Sequence, residues 1–424
     1  MPYRFVHAAD IHLDSPLRSL AFRDPELAAL IGNATRRAFT GIVDLCLEEQ
    51  VDALLLAGDL YDGEQTSMKT ARFLAAQIRR LHEAGIRVFI IRGNHDALSK
   101  ITKELVFPES VKVFGGRAEA IALDRPKGEL SVAIHGISFA QPHAPESLLP
   151  KFKAPIEGAA NIALMHTSLA GAIGHDPYAP CNPLHLAAAG FDYWALGHIH
   201  KRSVIKGACA IVMAGMPQGR DLNEAGPKSV TLVTLRDDRT IHLEERITSV
   251  AQFERVAVAL DGVENWPEIV GRIASAVEAA AVGIVSEHMV ARLSLSGATP
   301  LAWRMRRDRD LLKTEADERA SIIGKVSIEK IEVACVAPGA PKDNGADPLI
   351  DLRALIIGEI ADSDAFETTL VDMARELQAQ LPPEARDVFG DNEQDFRANL
   401  MRLAHEGAED VLARLHARAK DADD

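Results

Sequence analysis

Apolar residues gather early in short runs that each stop at a polar cluster. Residues 3–9, 53–57 and 87–91 have strand character. Between them, 33–49 places Ala38, Ile42, Leu45 and Cys46 on one helical face. Residues 68–84 do the same with Phe73, Ile78 and Leu81. This β-α-β-α-β alternation predicts a mainly parallel sheet at the start. Shorter strand-like runs follow at 111–114, 130–134, 161–165, 193–196, 210–213, 229–235 and 240–245. The mixture predicts an α/β fold with two packed sheets flanked by helices.

From about residue 248 the pattern changes. Residues 253–260, 289–295 and 327–336 are strand-like, and 268–281 and 301–323 are helical, so 249–336 reads as a small α+β unit. The Pro/Gly/Ala/Asp stretch 337–348 reads as a linker. Residues 349–424 then carry helical stripes: Phe366, Leu370, Met373 and Leu377, and later Phe396, Leu400, Leu403, Leu412 and Leu415. Pro382-Pro383 breaks between them.

The chemistry lies where the early runs end. Leu54-Leu55-Leu56-Ala57 stops at Gly58-Asp59, with Asp62 three residues on. A buried strand ending in Gly-Asp delivers a carboxylate to the rim of a sheet. Four more clusters follow strand-like segments: Asp10/His12, Asn94/His95/Asp96, His166, and His198/His200. In open α/β sheets functional loops gather at the carboxyl ends of strands, so clusters far apart in sequence can meet at one rim. Asp-x-His and His-x-His each turn both side chains to one side of an extended segment. Carboxylate, amide oxygen and imidazole without thiolate favour Mn²⁺, Fe or Mg²⁺, with Zn²⁺ also compatible.

Composition changes this picture only at the margins. The chain has 424 residues, 47% of them hydrophobic and 25% charged, enough for two or three domains with full cores. The four cysteines form no CxxC pair, which argues for a reducing compartment. With no h-region at the N-terminus and no apolar run of spanning length, the expected location is cytoplasmic, away from membranes. The net charge of −14 concentrates in 347–424, with 19 acidic and 8 basic residues, so the body does not exclude DNA.

The order D-x-H, G-D-x-x-D, G-N-H-D, H, G-H-x-H over about residues 3 to 200 resembles the calcineurin-like metallophosphoesterases. The resemblance implies two divalent metal ions, probed first as Mn²⁺. Asp10, His12, Asp59 and His200 would hold one, and Asp59, Asn94, His166 and His198 the other, with Asp59 bridging. It further implies phosphodiester hydrolysis by a hydroxide shared between the metals, with His95 assisting the leaving oxygen. Asp62 is placed to orient His95.

A narrower resemblance rests on His7-Ala8-Ala9-Asp10-Ile11-His12-Leu13-Asp14-Ser15-Pro16-Leu17 and Gly174-His175-Asp176-Pro177-Tyr178-Ala179-Pro180, with Pro217-Gln218-Gly219-Arg220 and Gly226-Pro227-Lys228. These are similar to the YhaO-type branch of the SbcD-like DNA repair exonucleases. The family pattern Gly-Asn-Pro-Gln is Gly215-Met216-Pro217-Gln218 here, which leaves that loop's role open. The resemblance implies a nuclease domain over 1–248, a capping domain over 249–336 and a helical region after 348. That region would dock on an SMC-like (SbcC/YhaN-type) ATPase. DNA and a second copy of the chain are the other partners it implies.

Plainer readings stand beside these. His7 and His135 read as buried structural histidines, Asp14 as a turn residue, and Asp96 as a helix cap. His175 is a candidate DNA contact near the cleft, or an exposed loop histidine. Arg304 and Arg307 sit in a basic run that is either a solvated helix face or a contact for the DNA backbone. Two rival functions remain at this stage. One is a hydrolase of dinucleotides or cyclic nucleotides, because fold and metals are common to both. The other is a DNA-end-binding subunit of an ATPase complex with residual hydrolysis.

Overall fold

The computed structural model describes residues 1–15, 25–62, 67–97, 106–126, 128–169, 178–336, 352, 354–361, 363–381, 389–390 and 392–421. The expected linker at 337–348, the Pro382-Pro383 break and His175 lie outside the described residues, as does the side chain of Leu415. The chain divides into two compact units. The first is Met1–Glu254 with Ile284–Val290, and the second is Arg255–Gly283 with Ala291–Asp424.

Two six-stranded mixed sheets build the first unit. One contains β1 (Tyr3–Ala8), β2 (Ala53–Ala57), β3 (Arg87–Ile91) and β4 (Val111–Val113), with β11 (Ser229–Leu235) and β12 (Ile241–Ile247), in the order β12-β11-β1-β2-β3-β4. Strands β1 to β4 run parallel, and β11 joins antiparallel to β1. The other contains β5 (Glu119–Leu123), β6 (Val132–Gly136), β7 (Ala160–His166), β8 (Tyr193–Gly197), β9 (Ser203–Lys206) and β10 (Ala210–Met213), in the order β5-β6-β7-β8-β10-β9. Its central strands β6, β7, β8 and β10 are parallel.

Period-two alternation explains how the layers stack. In β2, Ala53, Leu55 and Ala57 face the core between the sheets, against Ile162, Leu164, Tyr193 and Ala195. Leu54 and Leu56 face the other way, toward Ile42 and Cys46 of the helix Ala34–Glu48 and Leu74 and Ile78 of Met68–Glu83. Strands buried on both faces are therefore apolar throughout, which is why they stand out in the sequence. Strands β5 and β9 did not, because their residues are mostly half-buried or exposed.

The small sheet β13-β14-β15, formed by Ala251–Ala259, His288–Ser296 and Val326–Val333, is joined by the helix Trp266–Val282 and a second helical segment. That segment, expected as one helix, is two: Ala302–Arg307 and Arg309–Ile323. The break falls at Asp308, at φ −102° and ψ 36°, outside helical geometry. Further on, the helices Asp364–Gln380 and Glu393–Asp421 pack through Val371, Ala374, Phe396 and Leu400. The expected stripe is rotated as a result: Met373 is 65% exposed and Leu377 50% exposed, while Val371 and Ala374 are inside. No helix among the described residues is long and apolar enough to cross a membrane.

Candidate metal centre

The polar clusters converge at the carboxyl ends of the parallel strands. Past β1, Asp10 donates its backbone N–H to the carbonyl of Gly58 at 3.1 Å, and His12 donates to that of Asp59 at 3.0 Å. The loops after β1 and β2 are thus tied to each other beyond the strands. Asp10, His12 and Asp59 adopt φ of 51°, 45° and 54°, and His198 a φ of 103°. Non-glycine residues seldom occupy this region, and clusters of them mark functional sites. Gly58 and Gly93 allow the close approach. A Cβ on Gly93 would stand 2.2 Å from an Asp59 carboxylate oxygen and 2.7 Å from the His166 ring.

Three groups of side chains offer ligand atoms within 4.8 Å of one another: Asp10/His12/His200, Asp10/Asp59/His166 and His12/Asp62/His95. Asn94 joins the second group. Its Oδ1 lies 3.0 Å from His166 Nε2 and 3.3 Å from His198 Nδ1. All seven residues expected as ligands therefore meet at one rim. His95 stands beside them, its backbone N–H donating to Asp59 at 3.0 Å. Asp10, His12 and His166 are fully buried and Asp59 is 1% exposed, whereas the His95 side chain is 44% exposed.

Asp62 does more than expected of it. Its Oδ1 lies 2.6 Å from His12 Nδ1 and 3.4 Å from His95 Nδ1, so its nearer histidine is His12. The helix expected after Asp96 falls outside the described residues, and Asp96 itself ties two loops together. Its carboxylate accepts from Leu60 N–H at 3.0 Å and Gly93 N–H at 2.6 Å, joining the loop of Asp59 to the loop of Asn94. Asp14 sits in a turn and also takes a two-pronged hydrogen bond from Arg36. His7 is buried against the Tyr193 hydroxyl at 2.9 Å, and His135 against Asn161 at 2.8 Å, as their structural reading expects. Burial pushes the His7 imidazole down to about 3, so it stays neutral.

The electrostatics of the centre fit a cation-binding site. His166 donates Nδ1–H to the Ala57 carbonyl, and its Nε2 faces oxygens of Asn94 and, at 3.3 Å, Asp59. Burial opposes a charge there, but Asp59 and Asp10 outweigh it and raise this imidazole to about 9. A protonated ring thus stands where a cation would satisfy the same oxygens. Burial drives Asp10 up, with Asp59 adding to it. Asp59 is buried too, yet His166, His12 and His95 hold its carboxyl below the usual range. Burial and the charge of Asp59 push Asp96 up to about 7. His12 Nε2 is buried with no hydrogen-bond partner, while its Nδ1 engages Asp62. A buried lone pair without a donor is costly, and a cation relieves it. The oxygen-and-imidazole donor set fits a hard or borderline divalent ion.

Glu224, absent from the sequence reading, and Arg220, read there only as part of a loop motif, complete the rim. Glu224 accepts from His200 Nδ1 at 2.7 Å, and Arg220 holds Glu224 at 2.8 Å. Arg304 and Arg307 belong to the second unit. Arg307 makes two hydrogen bonds to Asp308 and stacks on Trp303 at 4.8 Å. Arg304 lies 3.5 Å from Asp308 and over Trp266 at 4.8 Å. The basic run is thus partly neutralised by Asp308.

Comparison with known proteins gives this geometry a family. Residues 3–202 match the calcineurin-like phosphoesterases, and the chain carries a metallophosphoesterase domain of that family. Residues 253–336 match the middle domain of metallophosphoesterase YhaO. An uncharacterized metallophosphoesterase YhaO of Bacillus subtilis is 34% identical over 262 residues, 62% of this chain and 64% of that protein. DNA double-strand break repair protein Mre11 of Sulfurisphaera tokodaii is 28% identical, over 50% of this chain and 54% of the relative. The Mre11 of Methanocaldococcus jannaschii is 29% identical, over 47% and 51%. The chain therefore spans less than two thirds of the length of these relatives.

Proposed function

We propose that the chain is a metal-dependent DNA nuclease of the SbcD/YhaO type, acting in DNA repair in the cytoplasm. The observation that carries the reading is the convergence of Asp10, His12, Asp59, Asn94, His166, His198 and His200 beside a more exposed histidine, His95. The middle-domain match and the relatives named as double-strand break repair proteins support DNA over a small ester.

In this reading Asp10, His12, Asp59 and His200 hold one divalent ion, and Asp59, Asn94, His166 and His198 hold the other. When bound, two such ions, Mn²⁺ first among candidates, would neutralise phosphate charge and make water acidic enough to attack at neutral pH. His95 forms the proton path. Its ring reaches solvent while its main chain is anchored to Asp59, so it meets the leaving oxygen as that oxygen gathers charge. Burial lowers its imidazole below the ordinary value, while Asp59 and Asp62 favour the charged ring; the protonated ring has one N–H for Asp62 and a second for the leaving oxygen. Asp62 orients that ring from 3.4 Å. His175, Arg304 and Arg307 remain candidates for DNA contact. The residues after 348 are the segment we assign to docking an SMC-like ATPase, with a homodimer as the assembly.

The test is linear duplex DNA beside a dinucleotide ester, both with Mn²⁺. Turnover of DNA is expected. Turnover of the dinucleotide alone would replace this reading with a small-molecule phosphoesterase. Binding of DNA ends with no turnover of either would make the chain an end-binding subunit.

A further inference from the structure

The two histidines expected at the first cation position are each backed by a carboxylate. His12 Nδ1 meets Asp62 Oδ1 at 2.6 Å, and His200 Nδ1 meets Glu224 Oε1 at 2.7 Å. A carboxylate only accepts, so each Nδ1 carries the proton and each Nε2 is left as the lone-pair nitrogen. Between the two carboxylates lies Arg220. It makes hydrogen bonds to Glu224 at 2.8 Å and 3.3 Å through its side chain and at 2.7 Å through its backbone N–H. It approaches Asp62 at 4.0 Å. The loop is itself braced. Gln218 binds the backbone of Val250 and Ala251, and a Cβ on Gly219 would meet the Glu224 carbonyl at 2.8 Å. The second position is built differently, with His166 held by a backbone carbonyl.

We infer that Asp62, Arg220 and Glu224 form a carboxylate–guanidinium–carboxylate clamp that presets the tautomers of His12 and His200, and so controls one cation position and not the other. The inference rests on the two-metal reading above. Arg220 and Glu224 are positioning residues in it. Partners that orient ligating histidines are typically worth about 10–100-fold in metal affinity. The clamp also explains why a loop with no ligand of its own, Pro217-Gln218-Gly219-Arg220, belongs to the site.

The test is Mn²⁺ titration calorimetry on the full chain, with ¹⁵N NMR of histidine tautomers in the metal-free protein at alkaline pH. Wild type is expected to bind two ions and to show His200 protonated on Nδ1. Glu224→Gln lets the amide donate to Nδ1, so His200 should shift toward the Nε2–H form. One site should weaken by about 10–100-fold while the other keeps its affinity. Arg220→Lys, which preserves charge but not the two-pronged grip, should weaken the same site by less. Equal loss at both sites with an unchanged tautomer would make Glu224 merely structural and overturn the clamp, as would two unchanged sites. A wild type that binds no ion would overturn the two-metal reading itself, a different result from failure of the clamp.

Discussion

Gly93→Ala is the smallest change that strikes the centre of this account. The added Cβ would stand 2.2 Å from Asp59 Oδ1, 2.7 Å from His166 Cε1 and 2.7 Å from His166 Nε2, all below the 3.0 Å that real Cβ contacts respect. Neither neighbour is a free-swinging side chain. Asp59 accepts from His95 N–H, and His166 is fixed by the Ala57 carbonyl. The methyl must therefore push Asp59 and His166 apart or shift the Asn94 loop. Overpacking of this kind costs about 1–3 kcal/mol. Its effect on ligation is larger than its cost in stability, because misplacement by about 1 Å at a reacting centre can cost 10²-fold. Gly41→Ala is the paired control. That glycine lies in the helix Ala34–Glu48, where a Cβ would meet nothing within 4 Å. Alanine there should stabilise by about 0.5–1 kcal/mol through backbone entropy. Chemical denaturation of the metal-free proteins reads the two opposite signs, and Mn²⁺ titration reads the loss of affinity, expected only for Gly93→Ala. Unchanged Mn²⁺ affinity in Gly93→Ala would refute the idea that Asp59 and His166 share a ligand sphere across that glycine.

Three further outcomes follow from the same geometry. Asp96→Ala leaves the N–H groups of Leu60 and Gly93 without their acceptor and should cost about 1–3 kcal/mol for each, read by denaturation; a loss below the cost of one such group contradicts the loop-tying role. In the metal-free protein His166 is raised from 6.5 to about 9, so its stabilising contribution is complete below 6.5 and fades as pH rises through 9. The stability gap between wild type and His166→Gln should narrow over that window, and a gap that widens would reverse the assigned charge. With saturating Mn²⁺ the trend should invert, since ligation needs the deprotonated ring, and melting temperature against pH checks both. If Asp59 serves both cation positions as proposed, Asp59→Asn should weaken both together, and calorimetry showing only one weakened site would remove the bridge.

What could be read from sequence, and what could not, divides along a physical line. Residues that end a doubly buried strand were visible, because an apolar run such as Leu54–Ala57 makes the following Asp59 conspicuous. Asp10, Asn94, His166 and His198 stood out for the same reason, and the structure gathers them at one rim. Glu224 was hidden, and so was the place of Arg220 beside it. Both sit on a loop with a short 3₁₀ turn, Leu222–Glu224, and only the tertiary fold shows that they face His200. The loop-tying bonds of Asp96 were hidden because its partners, Leu60 and Gly93, are contributed by two different loops. The periodicity of Phe366, Leu370, Met373 and Leu377 is real, yet the buried face is set by Phe396 and Leu400 on the next helix. For Arg304 and Arg307 sequence could not show that the helix breaks at Asp308 and turns its carboxylate back on both.

The most direct measurement of the central claim is made on His95→Ala, with bound manganese counted per chain and linear duplex DNA of defined ends supplied as substrate. The account predicts two manganese ions in wild type and variant alike, Mn²⁺-dependent degradation of DNA by wild type, and its loss in the variant. A variant that degrades DNA at the wild-type rate would contradict the role given to His95.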